Sequence, residues 1–278
     1  MNSMTALISA VSVAAAVCFY SRIATASPQK IVTVVLENTD YESAITQPFL
    51  SQLAKGGTLL TNYSGVGHPS EPNYIAMVGG GTLGVSDDGN YNLPNKSIVD
   101  LFEGKNLTWH VYAEDYPTGD CFTGSRSGKY ARKHNPLISF TAISQNPTRC
   151  ANITSETNFL SDFKTGKLPN YTMYVPNMDN DGHDTDVGFA DQWMSKTFRS
   201  IVDDPVAMKD TLLVTIFDED EGSGHVYAVI YGPDVKPGVQ LSSNYDHVSL
   251  LATVEQIFKL GNLGQSDAQA VPIAGFLK

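Results

Sequence analysis

Ile31-Val32-Thr33-Val34-Val35-Leu36, followed at once by Glu37-Asn38-Thr39-Asp40-Tyr41, decides how the rest of the chain is read. Five β-branched residues and a leucine, with no alternation of charge, describe a strand buried on both faces, as a parallel sheet requires. A strand that runs straight into a carboxylate and an amide sets oxygen donors beyond its carboxyl end, where open parallel sheets gather their function. A second stretch repeats the arrangement: Leu212 to Phe217 (LLVTIF) runs into Asp218-Glu219-Asp220-Glu221-Gly222.

Outward from these two, strands are expected at Thr58–Tyr63, Thr108–Ala113, Tyr171–Val175 and Val226–Tyr231. Helices are expected at 43–55 (ending at Gly56-Gly57), 71–78 with Pro72 in its first turn, 97–103, 187–201 and 246–259. Residues 114–155, rich in Gly, Pro, Asn and Ser, read as an irregular excursion. Strands alternating with helices predict one α/β domain with a mostly parallel central sheet flanked by helices. No internal repeat or linker divides it.

With 42% hydrophobic and 17% charged residues the chain is of globular composition, which excludes a disordered scaffold. A net charge of −11 repels phosphate backbones, so no nucleic-acid partner is expected to bind through charge. Thr5 to Tyr20 is apolar, and Ala24-Thr25-Ala26 supplies small residues before a cut at Ser27. Residues 1–26 therefore read as a secretory signal peptide, with an uncleaved anchor as the alternative, because Arg22 follows the apolar run instead of preceding it. No later run is long enough to span a bilayer, so no stable membrane anchor is expected and the product is placed outside the cell. Cys18 leaves with the signal, and one disulfide between Cys121 and Cys150 is the simplest reading of the remaining pair. Sequons at Asn62, Asn95, Asn106, Asn152 and Asn170 suit a secreted glycoprotein.

Four consecutive carboxylates, Asp218 to Glu221, repel one another unless a cation neutralises them; shared with Glu37 and Asn38, they read as a metal site or else as a solvated acidic turn. Gly67-His68-Pro69-Ser70-Glu71-Pro72-Asn73-Tyr74 puts Ser70 at the entrance of a helix, where amide N–H groups favour a phosphate and where a plain helix cap would also sit. Asn177-Met178-Asp179-Asn180-Asp181-Gly182-His183-Asp184 opens like a calcium loop but carries Gly188 where the bidentate Glu belongs; a His between two Asp suits proton transfer. Lys133-His134, with Arg126, Lys129 and Arg132 upstream, is the basic stretch of the chain, and His110 in WHVYA reads as a core or edge side chain.

ENTDY, HPSEPNY, YARKHNP, PNMDNDGHD, FDEDEG and YDHVSLLATVE occur here in the order seen in secreted fungal acid phosphatases. Over Ile31 to Leu260 the sequence resembles that phosphoesterase family, which also holds phosphatidylcholine-type phospholipases C and belongs to the alkaline phosphatase superfamily. The resemblance implies an alkaline phosphatase-like fold and a phosphoesterase catalytic domain over 27–278. It implies one divalent or trivalent metal ion on Glu37, Asn38, Asp218 and Glu219, with Ser70 as a nucleophile that also touches the metal. His134 and His183 match positions contacting the phosphoryl group or the leaving oxygen, and His68 lies beside the nucleophile. His225, Asp246 and His247 match positions without an assigned role.

The expected activity is acid phosphatase: Ser70 attacks a small phosphate monoester, His183 backed by Asp184 or Asp181 protonates the leaving alcohol, and water hydrolyses a phosphoserine. Cationic His side chains imply an acidic optimum. A phosphodiesterase or phospholipase C using the same nucleophile and metal is the alternative; an inactive secreted binding glycoprotein is the alternative of another class.

Overall fold

A computed structural model describes residues 28–119 and 121–278; the expected signal peptide over 1–26 and Cys18 lie outside the described residues. The main sheet has eight strands: β1 (Lys30–Leu36), β2 (Thr58–Leu60), β3 (Trp109–Ala113), β4 (Ile153–Ser155), β5 (Tyr171–Val175), β6 (Thr211–Phe217), β7 (Ala228–Tyr231) and β8 (Val239–Leu241). Their spatial order is β8-β2-β7-β6-β1-β5-β3-β4. Every pairing is parallel except those of β7, which runs antiparallel to both β6 and β2. β1 and β6, the two strands most apolar in sequence, lie side by side at the centre, and β1 is buried from Ile31 to Leu36.

Helices pack against the sheet in two groups. α1 (Pro48–Gly56) contacts the long helix 187–202, and α2 (Ser70–Gly79) contacts the helix 247–258. The expected helix over 43–55 is broken at Thr46-Gln47, because Pro48 cannot donate within a helix and starts a new one; Tyr41–Ile45 is a separate short turn of helix. The expected strand over 58–63 also divides, with Tyr63–Ser64 leaving the main sheet to pair with Tyr245–Asp246.

The stretch 114–155 is far from irregular. It contains a hairpin (Arg126–Ser127 with Tyr130–Ala131), short helical turns and β4, and Leu137, Ile138 and Phe140 are fully buried. Gly and Pro mark its many short turns, but its apolar residues still fill the core. Cys121 and Cys150 are joined, with Cα atoms 5.7 Å apart. Asn62 and Asn106 are exposed. The Asn62 amide nitrogen donates to Asn244 Oδ1 and to Ser242 O (3.4 Å), and the Asn170 amide nitrogen to Gln29 O (3.0 Å), so both sequons are engaged in the fold.

Candidate active site

Parallel pairing of β1 with β6 sets Leu36 opposite Phe217, so Glu37 and Asp218 emerge side by side from adjacent strands. Both are buried, as are Glu219 and Ser70. The Asn38 amide N–H donates to Asp218 Oδ1 (3.2 Å). Asn38 has φ 35°, a left-handed conformation that Asn tolerates better than most residues, and it turns its side chain back onto the carboxylates.

Ser70 is the first residue of α2. Its Oγ donates to Glu37 Oε2 (3.0 Å), while Tyr74, one turn on, donates its hydroxyl to Glu37 Oε1 (2.6 Å). The i, i+4 spacing puts both hydroxyls on one helix face. The preceding loop is held by Asn73, whose Oδ1 accepts from Val66 N (2.7 Å) and Gly67 N (3.2 Å) and whose Nδ2 donates to Gly67 O (2.7 Å). Gly65 must be glycine there, since a Cβ would stand 2.9 Å from Asp218 O. His68, half-exposed on this loop, lies 2.9 Å from Glu219 Oε2 through Nδ1 and 3.4 Å from Asp220 Oδ1 through Nε2.

Behind Glu37 stands His134, fully buried, with Nε2 3.1 Å from Glu37 Oε1 and Nδ1 3.0 Å from Asp181 Oδ2; its ring stacks on Tyr74. Glu37, His134 and Asp181 each offer a ligand atom within 4.8 Å of one another, a possible metal-binding site. Burial pushes His134 down to about 4 and Asp181 up to about 7. His134 is thus neutral at mildly acidic pH, which corrects the expectation of a cationic His at this position: the desolvation cost of its charge outweighs the attraction of Glu37.

His183 occupies the more open side, with Nδ1 2.9 Å from Asp184 Oδ1 and Nε2 3.3 Å from Lys133 Nζ. Lys133 donates to Asp88 Oδ2 (2.8 Å), and Asp88 Oδ1 accepts from Glu71 N (3.0 Å), the amide next to Ser70. Burial disfavours the Lys133 ammonium, but the bond to Asp88 and the charges of Glu37 and Asp218 outweigh it and raise its pKa. The 177–184 loop is fixed by buried Glu114 at the end of β3, which accepts from Asn177 N (3.0 Å) and Asn180 Nδ2 (2.6 Å).

One uncompensated feature tests the fit of a cation: Asp218 Oδ2 is buried with no hydrogen-bond partner among the described residues. The Asn38 amide nitrogen is placed to donate to Glu37 Oε2 at 3.2 Å and Glu219 Oε1 at 3.1 Å, and a half-turn of that amide would present its oxygen to a cation held by the same carboxylates. Asp218 is held well above the carboxylate range by burial and by Glu37 and Glu219; burial pushes Glu219 up to about 7, with His68 opposing. Oxygen donors in this number fit a hard cation.

Ser70, Glu37, Asn38, Asp218, Glu219, His134, His183 and His68 thus converge from five segments. His247 instead anchors the backbone: driven neutral by burial, to about 4, its Nε2 donates to Asp218 O (2.6 Å) and its Nδ1 accepts from Tyr63 OH (3.0 Å). Asp246 caps the final helix through Ser249 N (2.7 Å), and His225 stacks on Tyr41. His110 is a partly buried strand residue 2.9 Å from Thr154 Oγ1. Arg132 is buried and spent on the Thr123 and Tyr91 carbonyls, so it adds no cation to the site. Tyr74 and Asp88 were not legible as site residues; the i, i+4 spacing after Ser70 signals the first, and nothing local signals the second.

The sequence is 38% identical over 251 residues to an acid phosphatase of Aspergillus fumigatus, covering 85% of this chain and 56% of that protein. It is 33% identical over 252 residues to a phosphatidylinositol-3-phosphatase of Mycobacterium tuberculosis, covering 87% of this chain and 81% of that one. The chain spans 56–61% of the length of its curated fungal relatives. A crystal structure of an alkaline phosphatase superfamily protein from Vibrio parahaemolyticus shares the fold, with a TM-score of 0.58 at 13% identity over 89% of this chain and 71% of that one. The sequence model of the Phosphoesterase family matches residues 29–261, which take in every strand and all the residues gathered around Ser70 and Glu37, and the chain belongs to that family.

Proposed function

We propose that this chain is a metal-dependent phosphoric-ester hydrolase, an acid phosphatase acting on small monoesters through a phosphoserine. The observation that carries the reading is Ser70: a hydroxyl at a helix N-terminus, oriented by Glu37 Oε2, with carboxylate and amide oxygens on one side and Lys133 and His183 on the other. Glu37, Asn38, Asp218 and Glu219, with Ser70, would hold one cation. When bound, that cation neutralises the carboxylates and lowers the pKa of the serine hydroxyl. Asp181 and His134 then support Glu37 from behind, as outer partners of a ligand do.

The Ser70 hydrogen points at Glu37 Oε2, leaving an oxygen lone pair free to meet phosphorus in line. Lys133 stabilises the equatorial oxygens. As the new Oγ–P bond forms, the Ser70 hydrogen passes to Glu37 Oε2, which returns it when Oγ later leaves phosphorus; the bond to the ester oxygen breaks and His183 Nε2 gives that oxygen a proton, with Asp184 holding the other ring nitrogen. In the second half the same Nε2 takes a proton from water, whose oxygen attacks phosphorus and releases Ser70. The Cys121–Cys150 bond and the exposed sequon at Asn106 support secretion into an oxidising compartment.

Turnover of p-nitrophenyl phosphate and its bis-ester, with and without chelator, tests the reading. Chelator-sensitive release from the monoester, with little from the bis-ester, is expected. Preference for the bis-ester would make the chain a diesterase, and binding of phosphate esters without turnover would make it a binding protein.

A further inference from the structure

Next to the nucleophile lies a cavity of about 330 Å³ whose walls include Asp88, Asn90, Ser125, Arg126, Lys133 and Met178. It shares a wall with the site: Lys133 is 3.3 Å from His183 Nε2, and Asp88 accepts from the amide beside Ser70. The side on which His183 stands is the side from which the alcohol departs under the proposed mechanism. The cavity is therefore placed for the part of the ester beyond the scissile bond.

Its charge is unusual for a chain of net −11. Asp88 and Lys133 are ion-paired at 2.8 Å and cancel. The Asp184 carboxylate is claimed three times, by His183 Nδ1 at 2.9 Å, Lys129 at 3.4 Å and Arg126 at 3.5 Å, and Arg126 is the most distant claimant. Its guanidinium is half-exposed, and a pair of that kind adds little to stability. One cation with planar donors is thus left to face the cavity, only a short way beyond the proposed acid. Asn90 and Ser125 add hydrogen-bonding groups suited to hydroxyls.

Resting on the phosphatase reading, we propose that this cavity is the subsite for the leaving alcohol and that Arg126 there binds an anionic group, a carboxylate or a second phosphate, carried by that alcohol. Arg126 is a specificity residue, and the favoured substrates are polar phosphate esters bearing a further negative charge. A carboxylate or phosphate would meet the guanidinium fork with two parallel hydrogen bonds, which the single long contact to Asp184 does not supply.

The test compares 3-phosphoglycerate with glycerol 3-phosphate, which differ by a carboxylate on the same three-carbon skeleton, and uses p-nitrophenyl phosphate as a control. The wild-type chain is expected to prefer 3-phosphoglycerate by about tenfold in kcat/KM, and Arg126→Ala to lose that preference while its rates on the other two esters stay within about twofold. Arg126→Lys should restore part of it. Equal preference in wild type and Arg126→Ala, or an equal loss on all three esters, overturns the proposal. If the wild type turns over none of them, the phosphatase reading fails, and the subsite is judged by calorimetric binding of the same compounds. Weaker binding of 3-phosphoglycerate alone to Arg126→Ala then supports it, and unchanged binding overturns it.

Discussion

Ser70 Oγ donates to Glu37 Oε2 across 3.0 Å, joining the first residue of a helix to the residue that leaves the central strand, 33 positions earlier in the chain. Ser70 is not the helix cap: Pro69 holds that position, and Ser70, the first residue inside the helix, turns its hydroxyl toward the carboxylates.

Ser70→Ala is expected to lower kcat by about a thousandfold or more while the protein stays folded. The loss of one buried hydrogen bond should cost about 1–3 kcal/mol of stability. Phosphate trapped covalently by wild type and absent from Ser70→Ala, read by mass spectrometry after acid quench, checks the intermediate.

Chelation should remove both activity and stability. Glu37, Asp218 and Glu219 lie buried together, and Asp218 Oδ2 has no partner among the described residues. A cation at a hundred times its dissociation constant adds about 2.7 kcal/mol to the folded state. The melting temperature is expected to fall with chelator and recover with added metal, and Asp218→Asn should lose the response. An unchanged melting temperature would remove the cation from this site.

Under the proposed mechanism His183 would act as an acid only where the leaving oxygen needs a proton. His183→Asn should lower turnover of glycerol 3-phosphate, a poor leaving group, by about 10²- to 10⁴-fold, and that of p-nitrophenyl phosphate far less. Equal losses on the two substrates would give His183 a binding role instead.

Far from the site, Glu255 is buried against Asp267, and burial together with that charge pushes it up to about 8. An unfolded Glu titrates near about 4.3, so the folded state holds the extra proton across the window between. Stability from this group is complete at low pH and is lost as pH rises toward 8. Glu255→Gln should therefore gain on wild type steadily from pH 5 to pH 8 in urea melts. A constant difference would show that Glu255 does not titrate in that range.

The central strands and their flanking carboxylates were legible because their signals are local. A β-branched run needs no distant partner to be recognised, and Glu37 and Asp218 follow such runs directly. Tyr74 and Asp88 were hidden for the opposite reason. A tyrosine inside a helix and an aspartate in a Gly-rich loop look ordinary until Glu37 and Lys133 are brought to them. The buried segment 137–140 was hidden by its turn-forming neighbours, since Gly and Pro signal where the chain bends and not how deeply it packs.

By itself the sequence determined the α/β alternation, the parallel sheet and the set of chemical groups at the strand ends, and it made a Cys121–Cys150 disulfide the simplest reading of that pair. Only the tertiary structure decided the roles within that set. Burial left His134 neutral behind Glu37, made His247 a backbone anchor for Asp218, and kept His183 on the open side beside Lys133. The physical reason is that a strand or a sequon is written in adjacent residues. The protonation and reach of a side chain depend instead on solvent exclusion and on charges contributed by segments far apart in the chain.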